Sequence, residues 1–166
     1  RGVAGVGFTL EKPQDIIIDF RRTELVTGVR MFDSNESVEY SLCNEHIVIP
    51  ESETRAGRQG FSIDFNVDNQ SLNRRDEFLY TLLVPDRART LFPCFDQPDM
   101  KAHYRLSLAI PEEWEAVSNT PVTTPEYDAE DWYVLDFGHT LPEGMKIVSF
   151  ARTEPLSTYL FSFVAG

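Results

Sequence analysis

Histidine is scarce in this chain, with only His46, His103 and His139 among 166 residues. Hydrolytic zinc is commonly held by H-E-x-x-H on a helix, which brings two imidazoles one turn apart onto one ion. None of the three histidines has a second one four residues away, and Glu45-His46 stands adjacent but unpaired. No metal site is therefore expected in this chain. Cysteine is scarcer still: Cys43 and Cys94 are far apart and show no C-x-x-C spacing, so no structural zinc site is suggested. Spacing leaves a single disulfide undecided, and two buried free thiols are the expected state. Cations are few, 15 Lys and Arg against 27 Asp and Glu, for a net charge of −12. A nucleic-acid partner needs a basic face and is excluded on that ground; anionic membranes are disfavoured for the same reason. Runs of about eighteen apolar residues, the length that crosses a bilayer as a helix, are missing. So are a fixed-period repeat, a low-complexity tract and a G-x-S-x-G elbow. The glycines of Gly2-Val3-Ala4-Gly5-Val6-Gly7 fall as G-x-x-G-x-G, the wrong order for a dinucleotide fingerprint, and no helical pattern follows them.

What is present is β-structure. Val6, Phe8 and Leu10 alternate, Ile16 to Phe20 is a β-branched run, and Val29–Phe32, Val38–Leu42 and Ile47–Pro50 are short segments parted by polar residues. The polar Glu51 to Gly60 segment reads as a loop. Phe61, Ile63, Phe65 and Val67 then alternate with Ser62, Asp64 and Asn66, a half-buried strand. Asp68 to Glu77 reads as a mobile surface excursion, and the apolar run Phe78 to Val84 as a strand buried on both faces. Tyr104 to Ile110, Trp132 to Phe137, Lys146 to Phe150 and Tyr159 to Val164 supply further strands, with turns at Pro111–Trp114 and Leu141–Gly144. Roughly ten short strands with no long helix predict an all-β fold, an antiparallel β-sandwich or saddle-like double sheet with short loops. A chain of this length fits a single domain spanning 1–166. Because it begins with Arg1, it is expected to be a fragment lacking its first residues. Asn35-Glu36-Ser37 and Asn69-Gln70-Ser71 match the glycan-acceptor pattern, which arises often by chance.

The stretch from Arg87 to Tyr104 stands apart. Pro93 and Pro98 remove backbone donors, so neither a regular helix nor a central strand fits. Phe92 and Phe95 are expected to be buried and to anchor this irregular connector, with removal of the Phe95 ring costing about 3–5 kcal/mol. Asp96 before Gln97-Pro98 suits a turn in which the carboxylate accepts backbone N–H bonds.

The segments Ala88-Arg89, Phe92-Pro93-Cys94-Phe95-Asp96-Gln97-Pro98 and Lys101-Ala102 together resemble the signature in the amino-terminal domain of M1-family zinc aminopeptidases. Ala116-Val117-Ser118-Asn119-Thr120-Pro121 and Leu156 to Gly166 match at similar spacing, while the first half matches only in texture. The resemblance implies the same double-sheet fold, no catalytic residue in this chain, and zinc in the parent enzyme's catalytic domain. It also implies docking on that domain and a wall on one side of the peptide-binding cleft, so the partners are the catalytic domain and the peptide substrate. In this family a Gln-x-Gln/Glu pair upstream of the Phe-Pro-Cys-Phe segment helps bind the substrate's free amine. Counting back from Phe92 places that pair at Leu82 and Val84, both apolar here. A neutral apolar side chain cannot compensate an ammonium ion, so the usual amine anchor is missing from its place. The alternative reading is a free-standing β-sandwich binding or adhesion module sharing only the ancestry.

Overall fold

The computed structural model describes residues 1–124 and 141–166. The expected strand at Trp132 to Phe137 and His139 lie outside the described residues. The chain folds into two compact units, the first comprising Arg1–Asp68 and Ala88–Phe95, the second Asn69–Arg87 with residues 96–124 and 141–166.

Among the described residues, six strands build the first unit: β1 (Gly2–Leu10), β2 (Ile16–Asp19), β3 (Val26–Met31), β4 (Ser41–Cys43), β5 (His46–Ile49) and β6 (Gly57–Phe65). They form two antiparallel three-stranded sheets, in the orders β1-β6-β3 and β2-β5-β4. Ile16 and Ile18 of β2, Ile47 and Ile49 of β5, Val29 of β3 and Phe61, Ile63 and Phe65 of β6 meet in one buried cluster. Their every-second spacing puts these side chains on one face of each strand.

The segment 57–60, expected as loop, is the first part of β6. Its residues pair one for one with β1, from Gly57 opposite Leu10 to Gly60 opposite Gly7. Gln59 is fully buried, which an amide tolerates only when bonded, and its Nε2 donates to the Arg55 carbonyl while its Oε1 accepts from the Arg55 N–H at 3.2 Å. A Cβ at Gly60 would sit 2.4 Å from the Phe32 ring and 2.6 Å from the Val6 carbonyl oxygen, so the close approach of β1 and β6 requires glycine there. Nor is the rest of β6 half-buried. It is the middle strand, and Ser62 and Asp64 on its second face are buried as well. Asp64 is compensated by Arg30 at 2.7 Å and Arg1 at 3.6 Å, which is how a carboxylate occupies that position.

The second unit contains β7 (Leu72–Arg74), β8 (Leu79–Thr81), β9 (Ser107–Pro111), β10 (Ala116–Ser118), β11 (Met145–Ser149) and β12 (Phe163–Ala165). One antiparallel sheet runs β10-β12-β8-β7 and a second pairs β11 with β9. Ile110, Ala116, Phe150 and Ala165 form its buried centre, with Leu79, Leu106, Leu108, Trp114 and Val148 packed around them. The expected surface excursion is thus a hairpin: Arg75 N–H donates to the Phe78 carbonyl at 2.8 Å, and Asp76-Glu77 makes the turn. The run Phe78 to Val84 is not buried on both faces. Leu79, Thr81 and Leu83 turn inward, whereas Phe78, Tyr80, Leu82 and Val84 remain exposed. Two other strands are shorter than their patterns. Tyr104 N–H is used by Thr153 Oγ1 rather than by a strand partner, so β9 starts at Ser107, and Thr158–Leu160 is a 3₁₀ turn ahead of β12. Helix is confined to four such turns among the described residues, as an all-β fold requires.

The connector contributes to both units. Ala88–Thr90 is a 3₁₀ turn, and Cys94 exchanges two backbone hydrogen bonds with Asp19, at 2.8 and 3.1 Å. Pro93 is fully buried, but Phe92 and Phe95 are only half-buried against the first unit's core. The stability cost expected for a fully buried Phe95 ring is therefore too large. Asp96 is buried, and its Oδ1 accepts a hydrogen bond from the Thr158 hydroxyl at 2.5 Å. Thr158→Val keeps the shape and removes that donor from a buried acceptor. It is expected to cost about 1.5–3 kcal/mol in denaturant unfolding, with Thr158→Ser recovering most of the loss.

Candidate functional site

The two positions singled out by sequence lie just beyond β8. The Leu82 N–H donates to the Ser71 carbonyl at 3.0 Å, which carries the hairpin's pairing past the last strand residue. Strand alternation then sets the side chains: Leu82 is 50% exposed, Leu83 2% and Val84 55%. The Val84–Pro85 peptide is cis. Leu82 and Val84 thus present apolar surface on either side of a buried leucine.

That surface continues across the sheet. Val117 of β10 pairs with Val164 of β12, and Val164 pairs with Tyr80 of β8, so the three side chains form one cross-strand row on one face. All three are exposed, and Phe78 stacks on Tyr80 with ring centroids 6.3 Å apart. The opposite face carries Leu79, Ala116 and Ala165 into the core. Sequence reading missed this row, because each member sits in an apolar segment that resembles core. Phe78 to Val84 is a continuous apolar run with no alternation to mark its exposed face, and the row itself exists only once the strands are in register. Two shallow grooves flank it and share Tyr80. One is lined by Asn69, Asn73, Arg74, Arg75 and Phe78, the other by Val117, Ser118, Ser162 and Val164.

The histidines within the described residues hold structural partners. His46 Nε2 lies 3.1 Å from Asp19 Oδ1, and His103 Nδ1 lies 2.7 Å from the Thr153 carbonyl oxygen. Among the described residues no three His, Cys, Asp or Glu side chains are grouped to hold a metal ion. Neither cysteine is in a disulfide; Cys94 is buried and Cys43 exposed. The expectation of a buried Cys43 fails because it lies on β4, an outer strand whose three residues are all exposed. Shifted ionisation is found at surface ion pairs. Hydrogen bonds from Arg22 hold the Glu24 carboxyl below its ordinary range, and those from Arg55 do the same for Asp33. These groups are solvated and lie at no cleft, so they mark no chemical site.

Comparison with known proteins places this geometry. The profile of the peptidase M1 N-terminal domain matches residues 44–160. Glutamyl aminopeptidase of Rattus norvegicus is 40% identical over 79 residues, which cover 48% of this chain and 7% of that protein. Aminopeptidase N of Acetobacter pasteurianus is 42% identical over 81 residues, 48% of this chain and 19% of that protein. In fold, the chain superposes on the M1 zinc metallopeptidase from Deinococcus radiodurans with a TM-score of 0.72 at 17% identity, covering 99% of this chain and 37% of the other. The chain spans well under half the length of each of these relatives. The profile match takes in most of the chain, including the hairpin and the connector, and on that match the chain belongs to the peptidase M1 N-terminal domain family.

Proposed function

We propose that this chain is the non-catalytic amino-terminal domain of a larger zinc aminopeptidase, where it docks on the catalytic domain and walls one side of the peptide-binding cleft. The observation that carries this reading is the exposed apolar pair Leu82 and Val84, at the positions where the family resemblance expects the amine anchor. An inward-facing pair would have belonged to the core. An outward-facing pair is available to line a cleft. The residues present do not suit zinc: His46 and His103 are engaged elsewhere, and the described residues bring no ligand set together. The metal would be held by the catalytic domain, and this chain would contribute shape and an apolar boundary rather than a proton or a nucleophile.

The test is made on the full-length protein. It is expected to contain an H-E-x-x-H helix downstream of Gly166, to bind one zinc per chain, and to hydrolyse aminoacyl-arylamides in a chelator-sensitive manner. A reading frame without that helix, or a full-length product that binds no zinc, would exclude the proposal and favour a free-standing binding module.

A further inference from the structure

The β4–β5 hairpin brings together groups that the cleft reading leaves unused. Asn44 and Glu45 form its two-residue turn with positive φ at both, 49° and 66°, the twist that a tight hairpin requires. Arg21 at 3.3 Å and Arg89 at 3.5 Å hold the Glu45 carboxylate and so pin the turn. The resulting register sets Cys43 directly opposite His46, His46 opposite Asp19 on β2, and Asp19 opposite Cys94 of the connector. Residues directly opposite one another share a face, so both cysteines, a histidine and a carboxylate stand in one cross-strand line. The line lies on the face away from the core, which the adjacent Ile18 and Ile47 fill from the other side.

Its members differ in what they can do. Asp19 is buried, and its Oδ1 lies 3.1 Å from His46 Nε2. An ionised carboxylate only accepts, so Nε2 carries the proton, and Nδ1 of the neutral ring is left as a proton acceptor. Cys94 is buried, whereas Cys43 is exposed on its outer strand. Opposite residues set their Cβ atoms about 4.5–5.5 Å apart, so a Cys43 thiol turned toward the ring comes within hydrogen-bond range of it. A nucleophile beside a base that a third group orients is the arrangement that makes a thiol reactive.

We propose that Cys43 is a modification site, a thiol that low-molecular-weight disulfides cap reversibly, with His46 as the base and Asp19 orienting it. The Cys43 thiol gives its proton to His46 Nδ1, and the thiolate attacks one sulfur of the small disulfide. A Cys43–sulfur bond forms as the small disulfide's own S–S bond breaks, and the leaving thiolate takes the proton back from the imidazolium. Cys43 is thereby oxidised to a mixed disulfide, and half of the small disulfide is reduced to a thiol. The site is separate from peptide hydrolysis and does not depend on the function proposed above.

Thiol–disulfide exchange on the full-length protein tests this, with 2-hydroxyethyl disulfide as the probe and peptide mass mapping as the readout. Native Cys43 is expected to react about tenfold faster than the same cysteine in a capped synthetic peptide of residues 38–43, which lacks the histidine; an exposed pair gives less than a fully positioned base. His46→Gln keeps an N–H donor for Asp19 but removes the base, and should bring Cys43 down to the peptide's rate. Cys94 should stay unmodified throughout, and its protection reports an intact fold. A native rate no higher than the peptide's, including no reaction because the face is covered, would overturn the proposal. So would wild-type reactivity in a His46→Gln variant whose Cys94 is still protected. If that variant exposes Cys94, its fold is lost, and the wild-type rate against the peptide's decides alone.

Discussion

Phe61→Ala is expected to destabilise the protein by about 3–5 kcal/mol, the largest effect of any substitution considered in this fold. Phe61 is fully buried on β6, the middle strand of its sheet, where it stands opposite Val6 on β1 and Met31 on β3. Its ring packs at 5.8 Å, tilted by 45°, against Phe8, and it belongs to the cluster that joins both sheets of the first unit. Truncation removes the transfer free energy of the ring and leaves a cavity that a central strand cannot close, because hydrogen bonds on both edges fix its position. Denaturant melts should show a lower midpoint with an unchanged slope. A loss below about 1 kcal/mol would mean that the two sheets do not share this core.

Much of the all-β architecture was legible in the sequence, because a strand with one covered face writes a period of two. Tyr104 to Ile110 and Phe61 to Phe65 show that period, and each contains a strand. The failures share a physical cause. On β6, Gln59, Ser62 and Asp64 are buried, so polarity there reports local partners, namely the Arg55 main chain and the Arg30 and Arg1 guanidinium groups, and not solvent. On and beside β8 the reverse holds: Phe78, Tyr80 and Leu82 are apolar and exposed, which single-chain burial does not explain. A strand whose hydrophobic pattern exceeds what its own core covers is a mark of an interface, and this one is readable as such only beside its neighbours β12 and β10. The candidate site was legible in part. The Phe-Pro-Cys-Phe segment located Leu82 and Val84 by counting, but their outward orientation follows from the β7–β8 register, which no local pattern specifies.

Leu82 and Val84 are proposed to form an apolar boundary at the positions where the family resemblance implies an anchor for the substrate's amine. An ammonium bound next to such a wall forgoes charge-assisted hydrogen bonds worth about 1.5–3 kcal/mol each when desolvated, a factor of roughly ten to a hundred in discrimination. Val84 is 55% exposed, so Val84→Glu adds a carboxylate without burying it, and the fold should be unaffected. Placed at a cleft, that carboxylate would attract a free amine and offer nothing to an acylated one. The decisive measurement is the ratio of kcat/KM for a free-amine peptide over its N-acetylated twin, in the full-length protein with and without Val84→Glu. The substitution is expected to raise this ratio about tenfold or more, with unfolding unchanged. A ratio that stays constant in a folded, zinc-loaded variant would place Val84 away from the cleft and overturn the apolar boundary.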